Sequence, residues 1–213
     1  MKKKIFAVIM IILGIGAMLS AGGLWYSNML EENSAAEYVQ NVTQEIMDVI
    51  RFVDVDTVSD VQAEDVPDNV PLSVHETGMT TVEFDNVAYL GVLNIPSLNR
   101  TLAVNATWSY PALQNTPCRF SGSLLDDTLV LMAHNYRAHF RGISELALGE
   151  PIYLTDAQGA VHHYEVVAVT TVEPGRTIEV MHSDYDLTLF TCTTGGQART
   201  IVRCMRVWVE HFE

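Results

Sequence analysis

From Ile5 to Tyr26 the chain carries no charged side chain, and this run directly follows Lys2, Lys3 and Lys4. At 1.5 Å per residue it would make about 33 Å of helix, enough to cross the hydrocarbon core of a bilayer. Basic residues stay on the cytoplasmic side, so the rest of the chain is expected outside, with Trp25 and Tyr26 at the interface. A cleaved signal peptide is the rival reading, but the run is long for one and "LSAGG" is a poor cleavage site. Residues 1–30 are therefore predicted to be a cytoplasmic lysine cluster and a single-pass transmembrane signal-anchor. Next, Tyr38, Val42, Ile46 and Ile50 recur every four residues, the stripe of an amphipathic helix. Residues 57–76 are acidic and contain Pro67 and Pro71, which reads as linker. The whole of 31–76 is thus expected to be a helical and acidic extracytoplasmic spacer.

From residue 77 the period changes. Short apolar and β-branched runs follow one another: "VAYLGVLNI" (87–95), "TLVLMA" (128–133), "PIYLTD" (151–156), "VHHYEVVAVT" (161–170), "LTLFTC" (187–192) and "RTIVRCMRVWV" (199–209). Turn residues separate them, so 77–213 is predicted to be one mostly β domain, a barrel or sandwich. Short helices are expected inside it, "HFRGISELAL" (139–148) first among them.

Charge narrows the class of partner. The formal net charge is −14, and all three lysines lie in the leader. The remainder sets nine arginines against 26 acidic residues, a formal charge of −17. Such a surface argues against nucleic acid and anionic membrane faces as partners. The three cysteines, Cys118, Cys192 and Cys204, make no disulfide framework, and at least one must be unpaired. A Cys118–Cys204 bridge that leaves Cys192 alone is one arrangement, which spacing does not decide.

Cys192 closes the strand "LTLFTC", "TTGGQA" suits a hairpin connection, and Arg199 opens the next strand. A cysteine and an arginine so placed can lie side by side at one sheet end. On the second strand Arg199, Ile201 and Arg203 share a face. A guanidinium beside a thiolate stabilises the anion and can also donate to a substrate carbonyl or developing oxyanion. A thiol nucleophile is commonly served by a histidine. His134 directly follows the strand "TLVLMA"; His139 is the runner-up. His162 and His163 are strand neighbours facing opposite ways. Tyr136 and Arg137 follow His134 and are candidates to line a groove.

These residues resemble the sortases, the membrane-anchored cysteine transpeptidases of Gram-positive bacteria. "TLFTC" matches the Thr-Leu-x-Thr-Cys signature, "LVLMAHNY" resembles the histidine strand, and "RTIVR" resembles the arginine strand. "YLGVLNIPSLN" and "WSYPALQNTPCRFSGS" are similar to the opening strand and the substrate-side segment after it. Ala133 stands where the family usually has glycine. The resemblance covers residues 87–209 and implies an eight-stranded β-barrel. It implies that Cys192 attacks the Thr–Gly carbonyl of a signal such as Leu-Pro-x-Thr-Gly, giving a thioacyl enzyme. His134 would move the protons and Arg199 would hold the carbonyl or oxyanion, with Arg203 the alternative. Thr191, Tyr136 and Arg203 are expected at the substrate, and no cofactor or metal is called for. The implied partners are surface proteins with C-terminal sorting signals and a cell-wall precursor or pilin amine. The connection between 170 and 187 is too short for the class B insertion, and 57–76 holds no Asp-Pro-aromatic lid motif, so class D resembles the chain best. Glu173, Glu179, Asp184 and Asp186 resemble the acidic connection of calcium-stimulated members, against the plainer reading of solvated carboxylates.

Overall fold

The computed structural model describes residues 2–55, 72–176 and 184–210. Most of the acidic stretch expected as linker, 57–71, lies outside the described residues, as does Glu179. The chain forms two compact units, Met1–Ser34 and Ala35–Glu213. Helix α1 (Lys2–Val55) supplies the first. Many of its side chains there are apolar and exposed, among them Ile11, Leu19 and Trp25. Among the described residues it is the one helix long and apolar enough to cross a membrane.

The second unit is built on strands β1 (Leu72–Val74), β2 (Thr80–Phe84), β3 (Val87–Ile95), β4 (Arg100–Asn105), β5 (Cys118–Ser121), β6 (Leu129–Met132), β7 (Pro151–Asp156), β8 (Val161–Val172), β9 (Leu187–Cys192) and β10 (Arg199–Glu210). They join in the order β1-β2-β3-β4-β5-β6-β9-β10-β8-β7, and a further β3–β7 pairing closes eight of them, β3 to β10, into a ring. Closure removes the open sheet edges that would otherwise expose unpaired backbone groups. The eight-stranded barrel implied by the sequence motifs is therefore present, with β1 and β2 added alongside β3. The pairs β4–β5 and β6–β9 are parallel and the others antiparallel.

The barrel is filled from alternate positions. Leu90, Leu93, Leu129, Leu131, Leu187, Leu189 and Val202 are almost wholly buried in one interior cluster. Gly91 breaks the alternation of β3: it sits at a register shift with φ of 143°, and a Cβ there would lie 2.0 Å from the Thr155 carbonyl oxygen. Tyr89 and Val92, on either side of this bulge, both turn outward to a second cluster.

That second cluster adds a packing partner to the reading of 31–76 as a helical and acidic spacer. The helix is there, and its stripe is as expected, but Val42, Ile46 and Ile50 pack on Val82, Tyr89, Val92, Ala103 and Ala157 of the barrel. The Ala103 N–H donates to the Thr43 hydroxyl at 2.8 Å in a buried contact, and the Tyr38 and Tyr89 hydroxyls meet at 3.3 Å. Burial, then the Tyr38 contact, raises the Tyr89 pKa. A stripe of this width must bury itself against something, and here the barrel wall receives it. The helix expected over 139–148 shrinks to a 3-10 turn, Ile143–Glu145. The N–H groups of His139 and Arg141 both donate to the Tyr136 carbonyl and Gly142 takes a φ of 94°, so the chain coils into tight turns. Helix α2 (Tyr110–Asn115) instead follows Ser109, whose hydroxyl caps it by accepting from the Ala112 N–H.

Ile46 is fully buried while Glu45 is exposed. Ile46→Ala should cost the full-length chain about 2–5 kcal/mol in denaturant unfolding. Glu45→Ala should change it by less than about 0.5 kcal/mol. Equal, negligible effects would mean that this segment does not pack on the barrel.

Candidate active site

The β9–β10 hairpin sets Cys192 opposite Arg199 as direct cross-strand partners. Residues so paired project to the same face. The turn between them is built by Thr193. Its N–H donates to the Ala198 carbonyl at 2.9 Å, its hydroxyl accepts from the Ala198 N–H at 3.0 Å, and its carbonyl accepts from Gly196 N–H at 2.8 Å. Gly195 and Gly196 take φ of 83° and 71°, the left-handed region that favours glycine. The Arg199 guanidinium folds back over this turn, with Nη1 donating to the carbonyls of Ala198 (3.1 Å) and Gly196 (3.3 Å). Cys192 is half-buried.

His134 reaches the same barrel end by the parallel β6–β9 pairing, in which Met132 is the partner of Phe190. The next residue, Ala133, donates its N–H to the Phe190 carbonyl at 3.3 Å and accepts from the Thr191 hydroxyl at 2.8 Å. Thr191, expected at the substrate, thus faces the barrel interior, opposite to Cys192, and fixes the backbone before His134. Beyond His134 the chain doubles back, and the Phe140 N–H donates to the His134 carbonyl at 3.2 Å. The Arg141 guanidinium grips the Asn135 carbonyl through Nε and Nη2 at 3.1 and 3.0 Å. Asn135 Nδ2 donates to the Thr194 hydroxyl at 3.4 Å, joining this loop to the cysteine loop. Tyr136 stacks on the His134 imidazole, with centroids 4.8 Å apart and planes 26° apart. Arg137 is exposed. The runner-up His139 is fully buried and its Nε2 donates to the Asn115 carbonyl at 3.1 Å, which makes it part of the packing.

Along the outer face, Phe190 and Ile201 come next after Cys192 and Arg199. They are buried with Val130 and backed by Phe120, Met132 and Val172. Phe120 meets Phe190 edge-on at 5.2 Å, and Trp108 lies 5.8 Å from Phe120. An apolar track therefore leads to the cysteine. Arg203 sits further down it, paired with Thr188, and four residues of strand separate the two arginines by about 13 Å. Arg203 donates to the Thr188 hydroxyl at 2.8 Å and lies over the Tyr185 ring at 5.4 Å. The structure brings Arg199, not Arg203, alongside Cys192.

All three cysteines are free. Burial pushes the thiols of Cys118 and Cys204 up to about 12, and both stay protonated at neutral pH. Among the described residues no group of three or more His, Cys, Asp or Glu side chains could hold a metal ion. Asp186 accepts from the Arg206 N–H at 2.6 Å, which ties the entry of β9 to β10.

A family model described as the sortase domain matches residues 93–207. The chain belongs to the sortase family. Sortases are cysteine transpeptidases, and the match gives this chain that general character. Its fold is similar to sortase C-3 of Streptococcus pneumoniae, 21% identical, with a TM-score of 0.54 over 85% of this chain and 93% of that one. Sortase E1 of Streptomyces coelicolor is also 21% identical, with a TM-score of 0.50 over 57% and 90% of the two chains. The sortase D5 transpeptidase of Clostridium perfringens is 20% identical, with a TM-score of 0.50 over 56% and 79%. Sortases of several classes share this fold, so the fold does not select a subclass. A comparison with curated proteins finds no match.

A thiol probe at pH 8 should label Cys192 alone in the native sortase, with Cys118 and Cys204 labelled only after denaturation; rapid native labelling of either would contradict their burial. Because folding raises both buried thiol pKa values, the folded state holds more protons than the unfolded state above the ordinary thiol range. Stability should be full below about pH 8.5 and fall as pH rises towards 12. Replacing Cys118 and Cys204 together by alanine should flatten that fall in pH-dependent melts.

Proposed function

We propose that this sortase cleaves a Leu-Pro-x-Thr-Gly-like signal between Thr and Gly and joins the threonyl carbonyl to an amine. Cys192 is the nucleophile. Its sulfur attacks the threonine carbonyl carbon, a C–S bond forms, and the C–N bond to glycine breaks. His134 protonates the departing amine and later takes a proton from the incoming one. Arg199 swings from its two turn carbonyls to donate to the carbonyl oxygen as negative charge develops there. Those turn contacts, at 3.1 and 3.3 Å, are long for guanidinium bonds, so leaving them costs little. The apolar track of Phe190, Ile201, Met132 and Phe120 suits the leucine and proline of the signal.

The observation that carries this reading is the register: Arg199 is the partner of Cys192, and Met132, two residues before His134, is the partner of Phe190, two before Cys192. Stacking of Tyr136 on His134 and the Thr191–Ala133 bond hold the imidazole side of the site. Client proteins carry the signal near their C-termini, and the acceptor is a cell-wall precursor or pilin amine. The first thirty residues act as a single-pass anchor that leaves the barrel outside the cell.

Cys192→Ala and His134→Ala should each remove cleavage of a fluorogenic signal pentapeptide, and thioacyl adduct on Cys192 should be visible by mass spectrometry of the wild type. Arg199→Ala should lower kcat/KM by about 100-fold or more, the scale of a lost oxyanion donor. Arg203→Ala should lower it by less than about tenfold, acting only through the track. Full activity in Cys192→Ala would end the proposal, and a larger loss at Arg203 than at Arg199 would reassign the arginine. Added amines should give ligated product; cleavage with no ligation would make the protein a thiol hydrolase.

A further inference from the structure

A cavity of about 290 Å³ lies at the barrel mouth, and Cys192 is one of its lining residues. It shares no other residue with the apolar track. Thr171, Thr200 and Thr191 line it as one cross-strand row on the face opposite to Cys192 and Arg199. Thr194, Ser144 and Glu145 come from the loops on either side. Two environments thus meet at Cys192: an apolar face suited to the acyl donor, and a hydroxyl-rich pocket suited to a polar group. The lining holds one carboxylate, Glu145, which is exposed, and one guanidinium, Arg141, which is bound to the Asn135 carbonyl.

Resting on the transpeptidase reading above, we propose that this cavity is the acceptor site and that Glu145 selects a cationic primary amine carried on a peptide. An alkyl amine reaches the enzyme as its ammonium, because its ordinary pKa lies near 10. A carboxylate at the rim gathers that cation from solution, and the threonine and serine hydroxyls replace its water. The ammonium then releases one proton to solvent. The nitrogen lone pair forms a C–N bond to the thioester carbonyl carbon while the C–S bond breaks with its electrons on sulfur. The second nitrogen proton passes through His134 to the thiolate, which regenerates the thiol and leaves an amide. Carboxylate recognition acts on the charge of the acceptor before chemistry, so it governs KM for the amine.

The test uses the full-length chain in detergent micelles, a signal pentapeptide as donor, and two acceptors in competition. Hydroxylamine is small and uncharged at neutral pH and reports the thioacyl enzyme as a hydroxamate. The second acceptor is a peptide amine, in one arm a cell-wall stem peptide and in the other a lysine of a folded pilin domain. Glu145→Gln should lower the ratio of amide to hydroxamate about tenfold through a higher KM for the peptide amine. Glu145→Lys should lower it further, and Glu145→Asp should restore most of it. A Glu145-dependent ratio in either arm supports the site and names the source of the amine. A ratio indifferent to Gln and Lys, or hydroxamate without transfer to either peptide, overturns the acceptor site alone. No hydroxamate from the wild type overturns the transpeptidase reading as well.

Discussion

One buried hydrogen bond organises the site: the Thr191 hydroxyl donates to the Ala133 carbonyl at 2.8 Å. Parallel strands need long crossovers, and β6 and β9 are separated in sequence by β7, β8 and their connections. Their register is nevertheless set residue by residue, from Leu129 with Leu187 to Met132 with Phe190. The Thr191 bond extends that register past the last strand pair, to the residue just before His134. The antiparallel hairpin then adds Arg199 on the other flank of Cys192. A slip of one residue in either pairing would turn Cys192 into the core and bring Thr191 out. Leu187 and Leu189 resist such a slip, because it would expose side chains that are now fully buried.

The same alternation divides labour between the two faces of β9. Inward positions fill the barrel and, at the mouth, present hydroxyls. Outward positions carry Thr188, Phe190 and Cys192, flanked by Arg203, Ile201 and Arg199. Closing the sheet into a ring ties this end of the barrel together, and Cys192 and Arg199 sit where its strands end and begin. Packing the second half of α1 on Tyr89 and Val92 extends the folded unit beyond the barrel itself.

How far the sequence displayed this depended on signal strength. The strands 87–95, 151–156 and 187–192 were legible to the residue, because each is a β-branched or apolar run bounded by turn residues. Strands β1, β2, β4 and β5 were not singled out as elements, and β1 falls in the stretch read as linker. β5 is four residues long and carries Arg119 and Ser121, too little pattern to stand out. β2 was betrayed only by the turn after it, where Asp85 and Asn86 take φ of 50° and 60°. The helix read into 139–148 had the propensity, but the two N–H bonds onto Tyr136 and the turn at Gly142 override it. The Cys192–Arg199 pairing followed from hairpin arithmetic. Alternation along 187–192 puts Thr191 on the face of Leu187 and Leu189. That its hydroxyl meets the Ala133 carbonyl is a contact across more than fifty residues that no local pattern encodes. The same distance problem hid the docking of α1: its stripe was visible, and its partner was not.

The central claim is that strand register brings positions 134 and 192 together. A disulfide requires Cα atoms within about 7 Å and is therefore a sharp test of that proximity. His134→Cys in the full-length chain, mildly oxidised and mapped by peptide mass, should give a 134–192 bridge in high yield, with Cys118 and Cys204 still reduced. A free thiol at 134 beside an unbridged Cys192, or a bridge from 134 to any other cysteine, would contradict the account.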